Sequence, residues 1–313
     1  MKYKLPLLAL TSLVLTGCAN STNTHSLPFS VLTPNGAPAV AFYNYATDTK
    51  FETNGVPANI LADMRENSPY DMIVIDTTSG ISAIKNGAPY KMAATITLGN
   101  FFIAATGNDI DGEMNDGDTI VLFGNANAVP SKIFHYLYGN GFDDSIEYVT
   151  NVANAGAALV SGTNVATGST VDYVFIAQPV LHKALQNNSE ASIYVDVQEA
   201  YAEKSEGLPL MQASIFIKNT ADKYVVDDLL DTLKADIEAG INNPEKIKAG
   251  IDQIEASEIA ISKFGVDSAT IQAVMETNGL GLGYVNALEN KDAVDAYIAL
   301  FGMESTLEEI YYE

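Results

Sequence analysis

Strands and helices alternate along most of this chain, and the alternation is the feature that most restricts its fold. Residues 70–76, Tyr-Asp-Met-Ile-Val-Ile-Asp, are almost continuously apolar, which is typical of a strand covered on both faces of a sheet. A small-residue loop at 77–80 and a predicted helix from Ile81 follow. The same order of strand, loop and helix recurs over residues 119–138. Such alternation predicts βαβ units and mainly parallel sheets.

The pattern restarts after an acidic, glycine-rich segment at residues 107–118, which we interpret as the crossover between two α/β lobes. The 313 residues of the chain suit about two domains or one large bilobal one. From Thr220 onward the sequence predicts almost only helix, because apolar residues recur there every three or four positions. This helical tail must pack on one of the lobes.

Charge and composition exclude several classes of protein. The chain has 16 Lys+Arg against 39 Asp+Glu and a formal net charge of −23, which argues against binding to nucleic acid. A single cysteine excludes a disulfide scaffold and a thiolate-rich metal site. The histidines, at 25, 135 and 182, have no ligand-spaced partners, so the sequence predicts no zinc site, no catalytic triad and no cofactor.

The N-terminus predicts a lipoprotein signal peptide over residues 1–17. Lys2 and Lys4 precede a short apolar run at 5–15 that is too short to span a bilayer. The run ends in Leu-Thr-Gly-Cys, which resembles the bacterial lipobox and implies cleavage before Cys18 and attachment of lipid to its sulfur. Residues 18–28 are expected to form a tether. The protein is therefore expected on the extracytoplasmic face of the cell membrane, anchored by lipid.

Candidate ligand-binding residues lie in loops that follow the predicted strands. In open α/β sheets, ligands bind beyond the carboxyl ends of the strands, where helix N-termini converge. The polar members of these loops are neutral hydrogen-bonding residues, and each would also suit a helix cap. The candidates are Asn35, Thr77, Thr78, Ser79, Asn125, Asn127 and Gln178.

The charged residues near these loops are few. Arg65 is the only arginine, and its place late in an amphipathic helix favours exposure to solvent, which leaves the charge of a ligand open. Asp76 and Asp172 are the only obvious carboxylates near the loops.

Several segments resemble, in order, those of ABC-transporter solute-binding proteins, specifically the family that binds sulfonates, nitrate and thiamine precursors. The resemblance covers roughly residues 29–220, and the helical tail fits in length. One departure is Gln178, where many relatives carry an acidic residue before the proline. The matching segments are 33–39, 71–80, 119–130, 168–179, 195–201 and 209–218.

The resemblance implies a periplasmic binding protein-like type II fold: two doubly wound α/β lobes joined by a hinge, with a helical C-terminal extension. Lobe 1 would comprise residues 29–104 and 207–313, and lobe 2 residues 105–206. It also implies an extracytoplasmic, monomeric solute-binding lipoprotein without enzymatic activity. The solute would be small and organic, either sulfonate-like or a pyrimidine or vitamin precursor, and would be delivered to an ABC permease and its ATPase.

Two alternatives remain open from the sequence. Some relatives with the same bilobal fold are enzymes that act on pyrimidine or related precursors. A surface lipoprotein acting as a sensor or adhesin is the other alternative.

Overall fold

Two β-sheets form the centres of two lobes. The computed structural model describes residues 25–107 and 112–313, and in these ranges one sheet has six strands and the other five. The predicted signal peptide, Cys18 and the first residues of the predicted tether lie outside the described residues. Both lobes combine a sheet with surrounding helices, so the predicted α/β class with two lobes is confirmed.

The six-stranded sheet belongs to lobe 1, which is built from the first and the last parts of the chain. The first part contains β1 (Val31–Pro34), α1 (Ala37–Val40), β2 (Phe51–Asn54), α2 (Pro57–Ala62), β3 (Met72–Asp76), α3 (Thr77–Lys85) and β4 (Tyr90–Thr97). The five-stranded sheet belongs to lobe 2, with β5 (Phe101–Ala105), β6 (Ile120–Phe123), α4 (Val129–Tyr138), β7 (Ile146–Val149), α5 (Val152–Ser161), β8 (Tyr173–Ala177), α6 (Val180–Asn187), β9 (Ser192–Asp196) and α7 (Val197–Lys204).

The last part of the chain returns to lobe 1 and completes its sheet. It consists of β10 (Ala213–Lys218), α8 (Lys223–Asn242), α9 (Pro244–Ile251), α10 (Ser257–Phe264), α11 (Ser268–Met275), β11 (Leu282–Asn286) and α12 (Lys291–Ala299). Single 3-10 turns lie at Tyr43–Tyr45, Asp143–Ser145 and Glu308–Ile310. None of the helices in the described ranges has the length and apolarity needed to span a membrane.

The prediction of mainly parallel sheets is wrong. The strand orders are β11-β4-β10-β3-β1-β2 and β7-β6-β8-β5-β9, and of the nine pairings between the described strands only four are parallel. The cause is where the chain enters each lobe. β10 begins opposite the end of β3, with Ala213 paired to Asp76, and β5 begins opposite the end of β8, with Phe101 paired to Ala177. Each entering strand therefore runs antiparallel to its neighbour.

The chain passes between the lobes at residues 98–100 and again at 205–212, which we call the crossing segments. The prediction of a crossover in the acidic segment 107–118 is wrong, because β5 already belongs to the sheet of lobe 2 before that segment begins. The exact limits of the lobes remain a proposal. Because β5 (Phe101–Ala105) belongs to the sheet of lobe 2, the first passage from lobe 1 to lobe 2 lies a few residues before the predicted boundary at 104/105.

The helical tail is largely as predicted, with one exception. The apolar stripe of α8 is buried against the lobe 1 sheet, and Asn243 caps α9 at Pro244. The exception is β11, which forms an edge strand on β4. Its sequence, Leu-Gly-Tyr-Val-Asn, is short and begins beside glycine, so it carries little of the signal that predicts a strand.

The two faces of the lobe 1 sheet differ in what covers them. On β10, Ala213, Ile215 and Ile217 pack with α8 in one apolar cluster, whereas Phe216 lies in the cluster on the opposite face. Gly80 of α3 lies directly over the ring of Phe216, where any Cβ would overlap the ring. This second face continues into lobe 2, because its cluster also contains apolar residues of β5, β6 and β8.

Candidate functional site

A chain of hydrogen bonds connects the end of β3 in lobe 1 with the end of β8 in lobe 2. Thr77 N donates to Gln212 O at 3.0 Å, and Gln212 N donates to Thr97 O at 3.1 Å. Gln212 Nε2 donates to Asn100 Oδ1 at 3.5 Å, and Asn100 Nδ2 donates to Gln178 O at 2.7 Å. These hydrogen bonds run through both crossing segments. They therefore mark the junction of the two lobes, at the carboxyl ends of the central strands β3 and β8.

Three polar side-chain atoms near this junction are buried without a hydrogen-bond partner. They are Thr97 Oγ1, Gln212 Oε1 and Tyr297 OH. Thr97 is 1 % exposed and Tyr297 is 0 % exposed. An unpaired buried polar atom costs on the order of 1–3 kcal/mol, so pairing these atoms with a water or a ligand would stabilise the junction.

The Tyr297 hydroxyl belongs to the same region. Burial raises the pKa of Tyr297 well above its usual value, and the charge of Asp76, at the end of β3, raises this pKa further. The hydroxyl of Tyr201, on α7 of lobe 2, also contributes to the raised pKa of Tyr297. Groups of both lobes, Asp76 and Tyr201, therefore act on the hydroxyl of Tyr297.

Among the predicted site residues, Thr77 and Gln178 lie in the hydrogen-bonded chain. The Thr77 hydroxyl is used within lobe 1, where its Oγ1 lies 2.6 Å from Ser214 Oγ. Gln178 Oε1 accepts a hydrogen bond from His182 N at 3.0 Å and so caps α6. Gln178 also faces lobe 1, since a Cβ on Gly279 would lie 3.4 Å from its Cγ. The main chain of both residues thus forms the junction.

Thr78 and Ser79 lie at the start of α3, capped by the residue before it. Asp76 Oδ1 accepts from Ser79 N at 2.9 Å and from Thr78 Oγ1 at 2.5 Å. Both residues border a groove of about 730 Å³ between α2, α3 and Phe301. Arg65 lines the same groove, with its side chain 64 % exposed and 3.3 Å from Asp63, so its predicted exposure is confirmed. Its predicted place late in a helix is wrong, because α2 ends at Ala62 and Arg65 lies in the turn that follows.

Asn125 and Asn127 lie before α4 of lobe 2. Asn125 Oδ1 accepts from Asn127 N at 2.9 Å, which is the capping turn that the sequence allowed. Asn127 borders a second groove, of about 640 Å³, together with Tyr136 of α4 and Leu300, which follows α12 of lobe 1. This groove therefore lies between elements of the two lobes.

Asn35 is separate from the others. Its Nδ2 donates to Ser262 O in α10 at 2.6 Å, and its Oδ1 is buried without a partner. The structure therefore brings Thr77 and Gln178 together, sets Thr78 and Ser79 on one groove and Asn127 on another, and uses Asn35 to hold α10.

Asp172, one of the two carboxylates expected near the loops, lies at the other end of lobe 2. It precedes β8, and its Oδ2 accepts from Thr119 N at 2.8 Å. Gln178 follows β8 at the opposite end of the strand, so Asp172 is not at the junction and that expectation is wrong.

One cluster outside the junction has the residue types of a catalytic triad. His135 Nε2 lies 2.8 Å from Asp143 Oδ1, and Ser131 Oγ lies 3.3 Å from His135 Nδ1. The same Nδ1 lies only 2.6 Å from the carbonyl oxygen of Ser131, to which it can only donate. No lone pair on Nδ1 is then left to accept the serine proton, so the cluster has no base for its hydroxyl. Within the described residues, no group of three or more His, Cys, Asp or Glu side chains could hold a metal ion.

The sequence reasoning did not select Thr97, Asn100, Gln212 or Tyr297. Thr97 ends β4, and Gln212 directly precedes β10. Polar residues at the ends of apolar strands that join two lobes could have been found, had the crossing segments been placed correctly. Tyr297 carries no such signal, because a tyrosine within an amphipathic helix suits ordinary packing.

Comparison with known proteins gives structural relatives only. No protein-family model and no curated protein sequence matches the chain. An ABC transporter protein from Parabacteroides distasonis is 17 % identical with a TM-score of 0.69, and the match covers 91 % of this chain and 98 % of that one.

Two sulfonate-binding proteins have the same architecture. The periplasmic aliphatic sulphonate-binding protein of Escherichia coli is 11 % identical, with a TM-score of 0.63 and coverage of 91 % and 92 %. The alkanesulfonate-binding protein of Xanthomonas axonopodis pv. citri, solved with bound MOPS, is 15 % identical, with a TM-score of 0.52 and coverage of 92 % and 94 %. These relatives are binding and transport proteins. The chain therefore has the two-lobed α/β fold of the periplasmic binding proteins, as the resemblance in its sequence implied.

Proposed function

We propose that this chain is the extracytoplasmic solute-binding lipoprotein of an ABC importer. It captures a small organic solute between its two lobes and delivers it to a permease that is driven by an ATPase. The observation that carries the proposal is the hydrogen-bonded chain from Thr77 to Gln178 through both crossing segments, with unpaired buried polar atoms beside it.

The unpaired atoms supply a reason for ligand-dependent closure. A ligand stabilises a closed form only through contacts that it makes better there than in the open form. Thr97 Oγ1, Gln212 Oε1 and Tyr297 OH are buried without partners in this structure. If lobe closure is what buries them, closure without a solute costs free energy, and a solute that pairs them offsets that cost.

The candidate contacts remain part of this proposal. Thr78, Ser79, Asn125, Asn127 and Gln178 supply neutral hydrogen-bonding groups at the helix starts. Asn35 and Thr77 act through the positions that they give to α10 and to the end of β3. To this set we add three residues of the junction: Thr97, Gln212 and Tyr297.

Membrane attachment and assembly are also proposed. Lipid on Cys18 holds the protein at the outer face of the membrane, and the residues after Cys18 connect it to lobe 1. The predicted limit of this tether at residue 28 is wrong, because Leu27 is 1 % exposed in the lobe 1 core and its N donates to Asp48 Oδ2 at 2.8 Å. The protein acts as a monomer toward its permease. Replacing Cys18 with serine is expected to move the protein from the membrane fraction to the soluble fraction.

The cluster of Ser131, His135 and Asp143, outside the junction, does not favour an enzyme. Ser131 lacks a base, and the solved structures with the same fold that we name are binding and transport proteins. We therefore propose that the chain binds its solute without transforming it. Recovery of the bound solute unchanged after release would separate this proposal from the enzyme alternative.

The experiment is thermal unfolding of the purified protein with sulfonates, nitrate, pyrimidines and flavins at saturating concentrations. A rise in melting temperature with one member is expected, because a ligand that binds only the folded protein stabilises it. No rise with any member would count against these solute classes.

A further inference from the structure

We infer that the segment from α12 to Met303 holds the two lobes in contact before any solute binds, with Leu300 as the residue of lobe 1 that reaches lobe 2. The inference goes beyond the proposed function, because it concerns the equilibrium between the lobes and involves no solute. It follows from a groove that both lobes border, from an apolar cluster that continues from one lobe into the other, and from the way in which the segment is fixed to lobe 1.

Leu300 borders a groove that is otherwise built by lobe 2. Among the described residues at the groove of about 640 Å³, those of lobe 2 come from the loop before α4, from α4 itself, from the turn after it and from β7. Leu300, directly after α12, is the residue that lobe 1 contributes. It is partly buried and packs against the apolar cluster that contains residues of both lobes. An apolar side chain of lobe 1 therefore lies against the α4 side of lobe 2.

The inner face of α12 belongs to the same cluster. Tyr297 and Ile298 are each 0 % exposed, and the cluster that buries them also contains Val197 and Tyr201 of α7 in lobe 2. Burial raises the pKa of Tyr297 well above its usual value, and the charges of Asp76 and Tyr201 raise it further, as expected if α12 lies near α7. The contact between the lobes therefore includes a helix of lobe 1 as well as the crossing segments.

The turn after α12 is fixed to lobe 1. The ring centroids of Phe301 and Tyr297 are 5.5 Å apart, and Phe301 borders the groove of about 730 Å³ beside α2 and α3. Lys85 Nζ, at the end of α3, donates to Glu304 O at 3.0 Å. Leu300 and Phe301 are thus consecutive residues that border two different grooves, one formed with lobe 2 and one within lobe 1.

The facing wall in lobe 2 is also held in place. The ring centroids of Tyr136 on α4 and Tyr201 on α7 are 5.3 Å apart. Lys204 Nζ lies 5.4 Å from the ring centroid of Tyr136 and donates to Leu137 O at 2.8 Å. Because these contacts join α4 to α7 within lobe 2, Leu300 meets a wall that moves with the lobe as a whole.

Loss of this contact has a predictable cost. Separating the lobes at the groove would expose Leu300 and part of α12 to water, which is unfavourable for apolar surface. Because the contact needs no solute, it shifts the equilibrium of the solute-free protein toward lobes that touch. A polar residue at position 300 should therefore let the lobes move apart.

The test is the distance between the lobes in the solute-free protein, measured by double electron–electron resonance. Spin labels are placed at Asn59→Cys on α2 and Asn154→Cys on α5, both exposed, in a protein that also carries Cys18→Ser. These helices follow β2 and β7, which are edge strands three places from β10 and β5, the strands that the crossing segments enter. A rotation about the crossing segments therefore displaces the labels widely. Any bound solute is first removed by unfolding in urea, dialysis and refolding.

The variant is Leu300→Asn, and its matched control is Leu307→Asn, at a leucine that is 65 % exposed. We expect Leu300→Asn to broaden the distance distribution and to move its mean to longer distance, while Leu307→Asn leaves the distribution as in the wild type. Circular dichroism verifies folding, and Leu300→Ala replaces Leu300→Asn if that variant unfolds. Neither result depends on a solute, so the proposed function is tested separately. An unchanged distribution in the folded variant would overturn the inference, and so would an equal change in the control.

Discussion

Asn100 and Gln178 exchange two hydrogen bonds at the junction of the lobes. Asn100 Nδ2 donates to Gln178 O at 2.7 Å, and Gln178 N donates to Asn100 O at 2.9 Å. They extend the antiparallel pairing of β5 with β8 by one residue pair, so Asn100 belongs rigidly to lobe 2. Gln212 is likewise held to lobe 1 through Thr97 O. Among these hydrogen bonds, the 3.5 Å contact between Gln212 Nε2 and Asn100 Oδ1 is therefore the one that would break if the two lobes moved apart.

Asn100→Ala is expected to destabilise the protein by about 1–2 kcal/mol, because it removes the side-chain bond to Gln178 O in a residue that is only 8 % exposed. The free energy of unfolding in urea measures the effect. Asn140→Ala, at an exposed position after α4, is the control and should change stability by less than about 0.5 kcal/mol. Equal effects of the two substitutions would contradict the assignment of Asn100 to the junction.

Tyr297→Phe is expected to leave the unliganded protein as stable as the wild type or up to about 1 kcal/mol more stable, since it removes a buried hydroxyl without a partner. Tyr43→Phe is the matched control. Its hydroxyl donates to Asp236 O at 3.0 Å, so that substitution should cost about 1 kcal/mol. Urea unfolding of both variants makes the comparison. A larger loss for Tyr297→Phe than for Tyr43→Phe would show that the Tyr297 hydroxyl has a partner.

Gly281→Ala is expected to destabilise the protein by more than about 2 kcal/mol. The residue has a φ of +61°, and a Cβ there would overlap the carbonyl oxygen of Gly99 in the first crossing segment. Gly87→Ala separates the two causes, because Gly87 has a φ of +94° and no atom within 4 Å of the added Cβ. It should cost only the backbone strain, about 1–2 kcal/mol. Thermal unfolding of both variants, with circular dichroism to verify folding, checks the order.

Asp295→Asn is expected to cost about 1–2 kcal/mol at pH 7. Burial acts to raise the pKa of Asp295, but hydrogen bonds from Lys291 Nζ and from Thr306 N and Oγ1 outweigh it and hold the pKa below its usual 3.8. A lowered folded pKa gives stability that is present above the unfolded pKa and lost as pH falls through the folded value.

The difference in unfolding free energy between wild type and Asp295→Asn should therefore shrink as the pH is lowered from 5 to below 3.8. Glu255→Gln, at an exposed position between α9 and α10, is the control and should show little difference at any pH. A difference for Asp295→Asn that stays constant with pH would contradict the role of its charge.

Much of the fold could be predicted from the sequence because apolar strands and amphipathic helices carry strong local patterns. β3 was predicted within two residues of its observed bounds, and the predicted strand, loop and helix over residues 119–138 correspond to β6 and α4. The strand directions could not be predicted, since they depend on where the chain re-enters a lobe and not on local periodicity. β11 was missed because five residues beside a glycine-rich turn pair only at a sheet edge.

The candidate site was predicted in part for the same reason. Loops that follow parallel strands can be identified from the sequence. Thr77 and Gln178, which lie in such loops, form hydrogen bonds at the junction through Thr77 N and Gln178 O. Their side chains, however, serve Ser214 and α6. The unpaired groups of Gln212 and Tyr297 come from a crossing segment and a distant helix, and their burial depends on the tertiary structure rather than on local sequence.

The central claim, capture of a solute between two lobes, is tested most directly by the distance between them. Spin labels at Gln186→Cys on α6 and Glu276→Cys after α11, both exposed, in a protein that also carries Cys18→Ser, report this distance by double electron–electron resonance. Adding the small-molecule extract of a bacterial culture should shorten and narrow the distance distribution. An unchanged distribution, when the same extract raises the melting temperature, would contradict capture by closure of the lobes.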